Sequence, residues 1–121
     1  MNINSLITQI KERSDFHKAG MILCHNGVVR QTSRDGRRVT GLRVAVDREQ
    51  LEQVIREHKK RPGIIDIRIE IAGDTDLRVG DDVMMIVVAG DIRDHVISTL
   101  EDTLNAVKTT VTTKTEFFEE P

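Results

Sequence analysis

Cys24 and His25 stand side by side, and a thiol beside an imidazole is the pairing used in nucleophilic catalysis. The sequence places no third group to orient such a base, and a free cysteine commonly serves as a small buried hydrophobe. Cys24 is therefore expected to pack rather than react. The other histidines, His17, His58 and His95, share no metal-ligand spacing with His25. A single cysteine excludes an internal disulfide and a cysteine-based metal cluster. Arg34, Arg37 and Arg38 flank Asp35-Gly36 and read as a solvated hairpin loop rather than a binding patch. Arg30 closes an apolar run near Asp35, where an exposed arginine is routine. Arg93 falls in the first turn of a helical segment, where an anion could be held. Lys108 falls at that helix's end, a place the macrodipole favours for any cation. The acidic end Glu116–Glu120 with Phe117-Phe118 reads as a frayed terminus, with partner docking as the alternative.

The elements that must position these groups follow from periodicity. Ile3, Leu6, Ile7 and Ile10 recur at helical spacing, which predicts an amphipathic helix over residues 3–13. Met21–Arg30 is mostly apolar and predicts a strand, with a bulge or close contact at Gly27. Asp35-Gly36 is a hairpin-turn signal, and Val39–Val46 reads as the returning strand with Leu42, Val44 and Val46 on one face. Asp47 and Gln50 have capping-box spacing, so a helix starts there with Leu51, Val54, Ile55 and His58 inward, and Pro62-Gly63 ends it. Ile65, Ile67, Ile69 and Ile71 alternate with Asp66, Arg68 and Glu70, predicting a strand with one dry and one wet face. Gly80-Asp81 marks a turn, and Val83–Ala89 reads as a central strand buried on both sides. Asp91 is the expected cap of the last helix, whose inward face is Ile92, Val96, Ile97, Leu100, Leu104 and Val107. The β-branched run Thr109–Thr115 disfavours helix and suits a strand or extended tail. This order predicts one α+β domain over residues 1–121, mainly antiparallel, with helices on one side of the sheet and residues 116–121 as a flexible tail.

Composition sets the outer bounds. The 121 residues are 38% apolar and 31% charged, the balance of a folded globular domain. Aromatics are 2%, all Phe, so the core must be aliphatic. A net charge of -2 argues against nucleic acid as the main partner. No apolar run approaches the roughly 20 residues of a membrane span, and Met1–Lys11 has no signal-peptide pattern. No membrane association and a cytoplasmic location are expected.

Three stretches, taken in order, resemble the large, catalytic subunit of molybdopterin synthase. His25-Asn26-Gly27-Val28-Val29-Arg30 resembles that family's Phe-x-Gly-x-Val-Arg strand. Asp66–Asp82 resembles its strand followed by a Gly-Asp turn. Val87–Lys108 resembles its strand and the helix that ends in a catalytic lysine. The resemblance spans roughly residues 18–116. It implies an α/β-hammerhead fold, a homodimer, and a small ubiquitin-like sulfur-carrier subunit whose C-terminal Gly-Gly bears a thiocarboxylate. It further implies transfer of two sulfurs to cyclic pyranopterin monophosphate, a pterin phosphate, forming the dithiolene of molybdopterin. No metal or redox cofactor is implied for this step.

The same resemblance assigns roles residue by residue. Lys108 falls on the first catalytic lysine, and Lys114 is the candidate for the second. Arg30 and Arg93 fall on substrate-binding arginines, and an active enzyme should gather Arg30, Arg93 and Lys108 at one pocket. The chain also departs from the pattern. Ile92 stands in place of a histidine, His25 in place of a phenylalanine, and the Trp before the second lysine is missing, as is the arginine of the tail. Lys114 lies one position short of the family spacing, and on a strand one position turns a side chain to the other face. The departures admit a second reading, a catalytically impaired homologue serving as a dimeric binding or scaffold protein. An unrelated α+β regulatory domain, with a different strand order, is the third.

Overall fold

The structure, a computed structural model, describes residues 1–120. Helix α1 (Ile3–Lys11) is capped by the Asn2 side chain, which accepts from the Asn4 N–H at 2.9 Å. Strands β1 (Met21–Val28) and β2 (Val39–Val46) follow, then helix α2 (Arg48–Lys59). Asp47 caps α2 by accepting from the Gln50 N–H at 3.1 Å, as the sequence spacing predicts. The chain continues through β3 (Ile64–Ile71), a short β4 (Asp76–Arg78) and β5 (Asp82–Gly90). Helix α3 (Arg93–Ala106) runs into a π turn (Val107–Val111), and β6 (Thr112–Phe118) ends the fold.

The strands form two antiparallel sheets of three, ordered β1-β5-β3 and β4-β2-β6. β5 is central, and apolar from Val83 to Ala89. Its side chains alternate between two dry faces, because Met85, Val87 and Ala89 meet Leu6 and Ile10 of α1. Met84, Ile86 and Val88 point the other way, into a core shared with α2, α3 and the second sheet through Val54, Val96, Val107, Leu42 and Val44. The expectation of helices on one side of the sheet is thereby corrected: α1 covers one face and α2 with α3 the other. An apolar run of this length can be central only if both of its faces are covered.

Four further readings change. β1 and β2 do not form a hairpin. β1 pairs with β5, and β2 pairs with β4 and β6. The Asp35-Gly36 turn does form, with Gly36 at φ +87°, but it closes a small loop bridged by Thr32 and Arg38 while the chain crosses between sheets. The supposed wet face of β3 is partly covered by α1, which leaves Arg68 and Glu70 half-buried, and Asp66 is fully buried. On α3 the residues that bury are Val96, Thr99 and Thr103, whereas Ile92 and Ile97 remain 52% and 44% exposed. Small threonines let the helix approach the sheet closely, and that rotates the larger isoleucines outward. The α3 cap is Ile92, not Asp91. Asp91 instead accepts from the Ile92 N–H at 2.7 Å and from His95 Nδ1 at 2.8 Å.

The C-terminal stretch is also more ordered than its composition suggests. Thr109 and Thr110 stay helical because their hydroxyls donate back to carbonyls of Asn105 and Ala106. Thr112 then starts β6, which pairs with β2 from Val46↔Thr112 to Val39↔Phe118. Glu116–Phe118 are thus strand rather than tail, and Pro121 lies outside the described residues.

Candidate functional site

Two adjoining hollows open where the second sheet meets the start of β5 and the end of α3. The first, about 270 Å³, is lined by Arg34, Val44, Val83, Met84, Lys108, Thr112 and Lys114. The second, about 310 Å³, is lined by Val28, Arg30, Thr32, Ser33, Leu42 and Glu116, and shares Arg34, Lys108 and Lys114 with the first. Four cations therefore face the combined space, against a single lining carboxylate, Glu116. Glu116 approaches Lys114 only to 3.9 Å, too far for a hydrogen bond.

Each cation reaches the hollow for a local reason. Arg30 lies just past the bulge that ends β1 at Gly27/Val28, and its Nε donates to the Thr32 carbonyl at 2.7 Å. Lys108 sits in the π turn after α3. Lys114 lies on β6 opposite Val44 of β2, so it shares the inward face of that sheet with Thr112 and Glu116. Lys114, one position short of the family spacing, nevertheless lines the same hollows as Lys108, and the π turn lies between them. A turn closed i→i+5 places residues differently from an α turn, and β6 emerges with Lys114 facing the same space as Lys108.

Arg93 does not join them. It begins α3 at the far end of β5, roughly 20 Å of helical rise from Lys108, and lines neither hollow. The set Arg30, Arg93 and Lys108 is thus not gathered within one chain. Arg34, read from sequence as part of a solvated loop, takes a place in both hollows. The other two arginines of that cluster serve elsewhere: Arg37 lies 3.6 Å over the Phe118 ring, and Arg38 pairs with Glu119 at 3.5 Å. The signal that could have singled out Arg34 is the Gly36 turn, which folds the loop back onto the strands.

His25 is a second residue whose surroundings the sequence did not disclose. It pairs across with Ile86, which puts it on the same sheet face as Met84 and beneath the end of α3. Burial lowers its pKa below the ordinary value, and the charge of nearby Lys108 lowers it further. Cys24 points to the opposite face and is exposed, not buried as expected. Desolvation raises its thiol pKa, the reverse of an activated nucleophile. Among the described residues no three His, Cys, Asp or Glu side chains gather as metal ligands would. No helix there is long and apolar enough to cross a membrane.

Larger hollows lie elsewhere but carry less chemistry. One of about 450 Å³ is a groove along α2 and its end alone. Another, about 370 Å³, borders the buried Asp66, whose carboxylate is already taken by Lys59 at 3.0 Å and Arg68 at 2.7 Å.

A two-sheet α+β domain with a cationic hollow between its sheets is the class of protein that fold and site define. The profile of the MoaE protein family matches residues 2–110, and the chain belongs to that family. A search of curated proteins finds no match. Among solved structures, molybdopterin synthase from Staphylococcus aureus is 22% identical with a TM-score of 0.73, covering 86% of this chain and 78% of that one. Molybdopterin cofactor biosynthesis protein E from Burkholderia multivorans is 23% identical with a TM-score of 0.77, over 98% and 82%. A complex of subunits 1 and 2 of molybdopterin-converting factor from Helicobacter pylori gives 15% and 0.71, over 99% and 85%. At these identities the likeness establishes the fold, and it agrees with the hammerhead-type architecture expected from the sequence.

Proposed function

We propose that this chain acts in molybdenum cofactor biosynthesis as the catalytic large subunit of a molybdopterin synthase. In this reading the hollow holds the phosphorylated pterin precursor while a small carrier protein delivers a thiocarboxylate at its C-terminus. The observation that carries the reading is the convergence of Arg30, Lys108 and Lys114, distant in sequence, on one space with little compensating negative charge. Arg30 presents a planar fork suited to phosphate. Lys108 and Lys114 face the position where negative charge develops as sulfur leaves the carrier carbonyl for the pterin, and fixed cations there lower the barrier. The carrier tail departs as a carboxylate once water has supplied its oxygen, and the pterin carbon that takes the sulfur gives up the oxygen substituent it held. The two-subunit complex from Helicobacter pylori supports a small protein partner here. A homodimer is part of the same proposal, and the exposed Ile97 one turn beyond Arg93 offers apolar surface for a second copy to cover.

Reconstitution with the precursor and a thiocarboxylated carrier tests the reading. Lys108→Ala should lower kcat by about 100-fold or more, the scale of losing one charge-stabilising group. Wild-type-like turnover in that variant would remove Lys108 from the chemistry. A non-catalytic scaffold is favoured by one observation, the separation of Arg93 from the hollow. Product formation by the wild-type chain would eliminate it.

A further inference from the structure

We propose that Arg34 is a substrate-binding residue of this hollow, holding the phosphate of the precursor together with Arg30 from a loop that is braced in advance. The inference rests on the function proposed above for the choice of substrate, but its evidence is separate.

Arg34 lines both hollows, alongside Lys108 and Lys114. Among the described residues it makes no ion pair, whereas its neighbours Arg37 and Arg38 are both engaged. An unengaged guanidinium on a mobile loop would mean little, but this loop is tied at several points. Buried Ser33 accepts from the Arg37 N–H at 3.1 Å, and its hydroxyl donates to the Asp35 carboxylate. Backbone bonds join Ser33 N–H to the Arg37 carbonyl at 2.9 Å and Gly36 N–H to the Ser33 carbonyl at 3.0 Å. Arg37 rests on Phe118, and the Glu119 N–H donates to the Arg38 carbonyl at 3.0 Å. The C-terminal strand therefore fixes the loop from outside while Arg34, itself exposed, lines the hollow. Arg30 is tied to the same loop through Thr32. Two guanidinium groups held on one small loop, four residues apart, match the phosphate of the precursor, whose two free oxygens can accept from both forks. Because the loop backbone is already ordered, binding costs only the freedom of the side chains, and the arrangement favours affinity.

The test uses the full chain with inorganic phosphate as probe, followed by steady-state kinetics in the reconstituted synthase. Arg34→Gln should weaken phosphate binding about tenfold, the loss expected for one charge-assisted contact. In turnover it should raise KM for the precursor by a similar factor and leave kcat within about twofold, because uniform binding alone is lost. Arg34→Lys should recover part of the affinity, and Arg56→Gln, on α2, should change nothing. Unchanged phosphate affinity in Arg34→Gln overturns the proposal, as does a fall in Tm large enough to account for the loss. If the wild-type chain binds phosphate through Arg34 yet gives no product, the proposed function fails and the anion site stands.

Discussion

Lys108 and His25 define the site's behaviour at the scale of single residues. A neutral imidazole beside an ammonium is stable only while it remains neutral. His25 has its pKa lowered from the ordinary 6.5, by burial first and by Lys108 second. The folded chain therefore binds fewer protons at this position than the unfolded one. The stability this position contributes is fully present above pH about 6.5 and declines as pH falls through the lower folded value. His25→Phe keeps a flat ring and removes the titration. Thermal melts between about pH 5 and 7 should show a flatter Tm profile for the variant than for the wild type. Identical profiles would place His25 outside any coupling to Lys108. That coupling was not visible in the sequence, because it depends on the β1–β5 pairing and on where α3 ends, both long-range facts. The family resemblance led to the expectation of Lys108 and Arg30 at one hollow, and both line it, whereas Arg34 was not expected there, because the Gly36 turn says that the loop folds back and not which of its arginines meets the cavity.

Elements explain the larger differences. Periodicity located α1, α2, β3, β5 and α3 within a residue or two, because each carries its own apolar pattern. It could not say that β3's polar face lies partly under α1, since alternation records which residues are polar and not what covers them. Asp66 is the outcome: a fully buried carboxylate that also accepts from its neighbour Ile67's N–H at 2.9 Å. Burial alone pushes its pKa up, but hydrogen bonds and charges from Lys59 and Arg68 outweigh that and hold it below 3.8. This contribution is complete above the unfolded carboxylate value and is lost only as pH falls below about 4 through the folded value. It is thus separate from the His25 window. Asp66→Ala leaves Lys59 and Arg68 partly solvated, so the cost should be about 1–3 kcal/mol rather than the larger penalty of a stranded buried charge. Urea unfolding at pH 7 measures it, and a loss below about 0.5 kcal/mol would mean the cluster is surface-like. The strand reading of Thr109–Thr115 was half right, because the hydroxyls of Thr109 and Thr110 bond back to helix carbonyls and those two residues, with Val111, stay in the helical turn before β6 begins.

At the scale of the whole molecule, the hollow forms at two of the chain's five crossings between the sheets, the loop 29–38 first and the π turn into β6 second. The first crossing supplies Arg30 and Arg34 and the second supplies Lys108 and Lys114. Neither crossing is written in composition, which reaches only a folded α+β domain. The C-terminal strand contributes at both, since it carries Lys114 and also supports the loop through Phe118. The pairing Val44↔Lys114 gives the second crossing a parity. One threonine inserted between Thr113 and Lys114 makes the count odd and swings the ammonium to the outside of the sheet, and product formation should drop to the level of Lys114→Ala. Two inserted threonines restore an even count, so an ammonium again faces inward, displaced along the strand by about 7 Å. Related chains could therefore lengthen this connection in steps of two while keeping the lysine indoors, and a step of one would have to be absorbed by rewinding the turn before it.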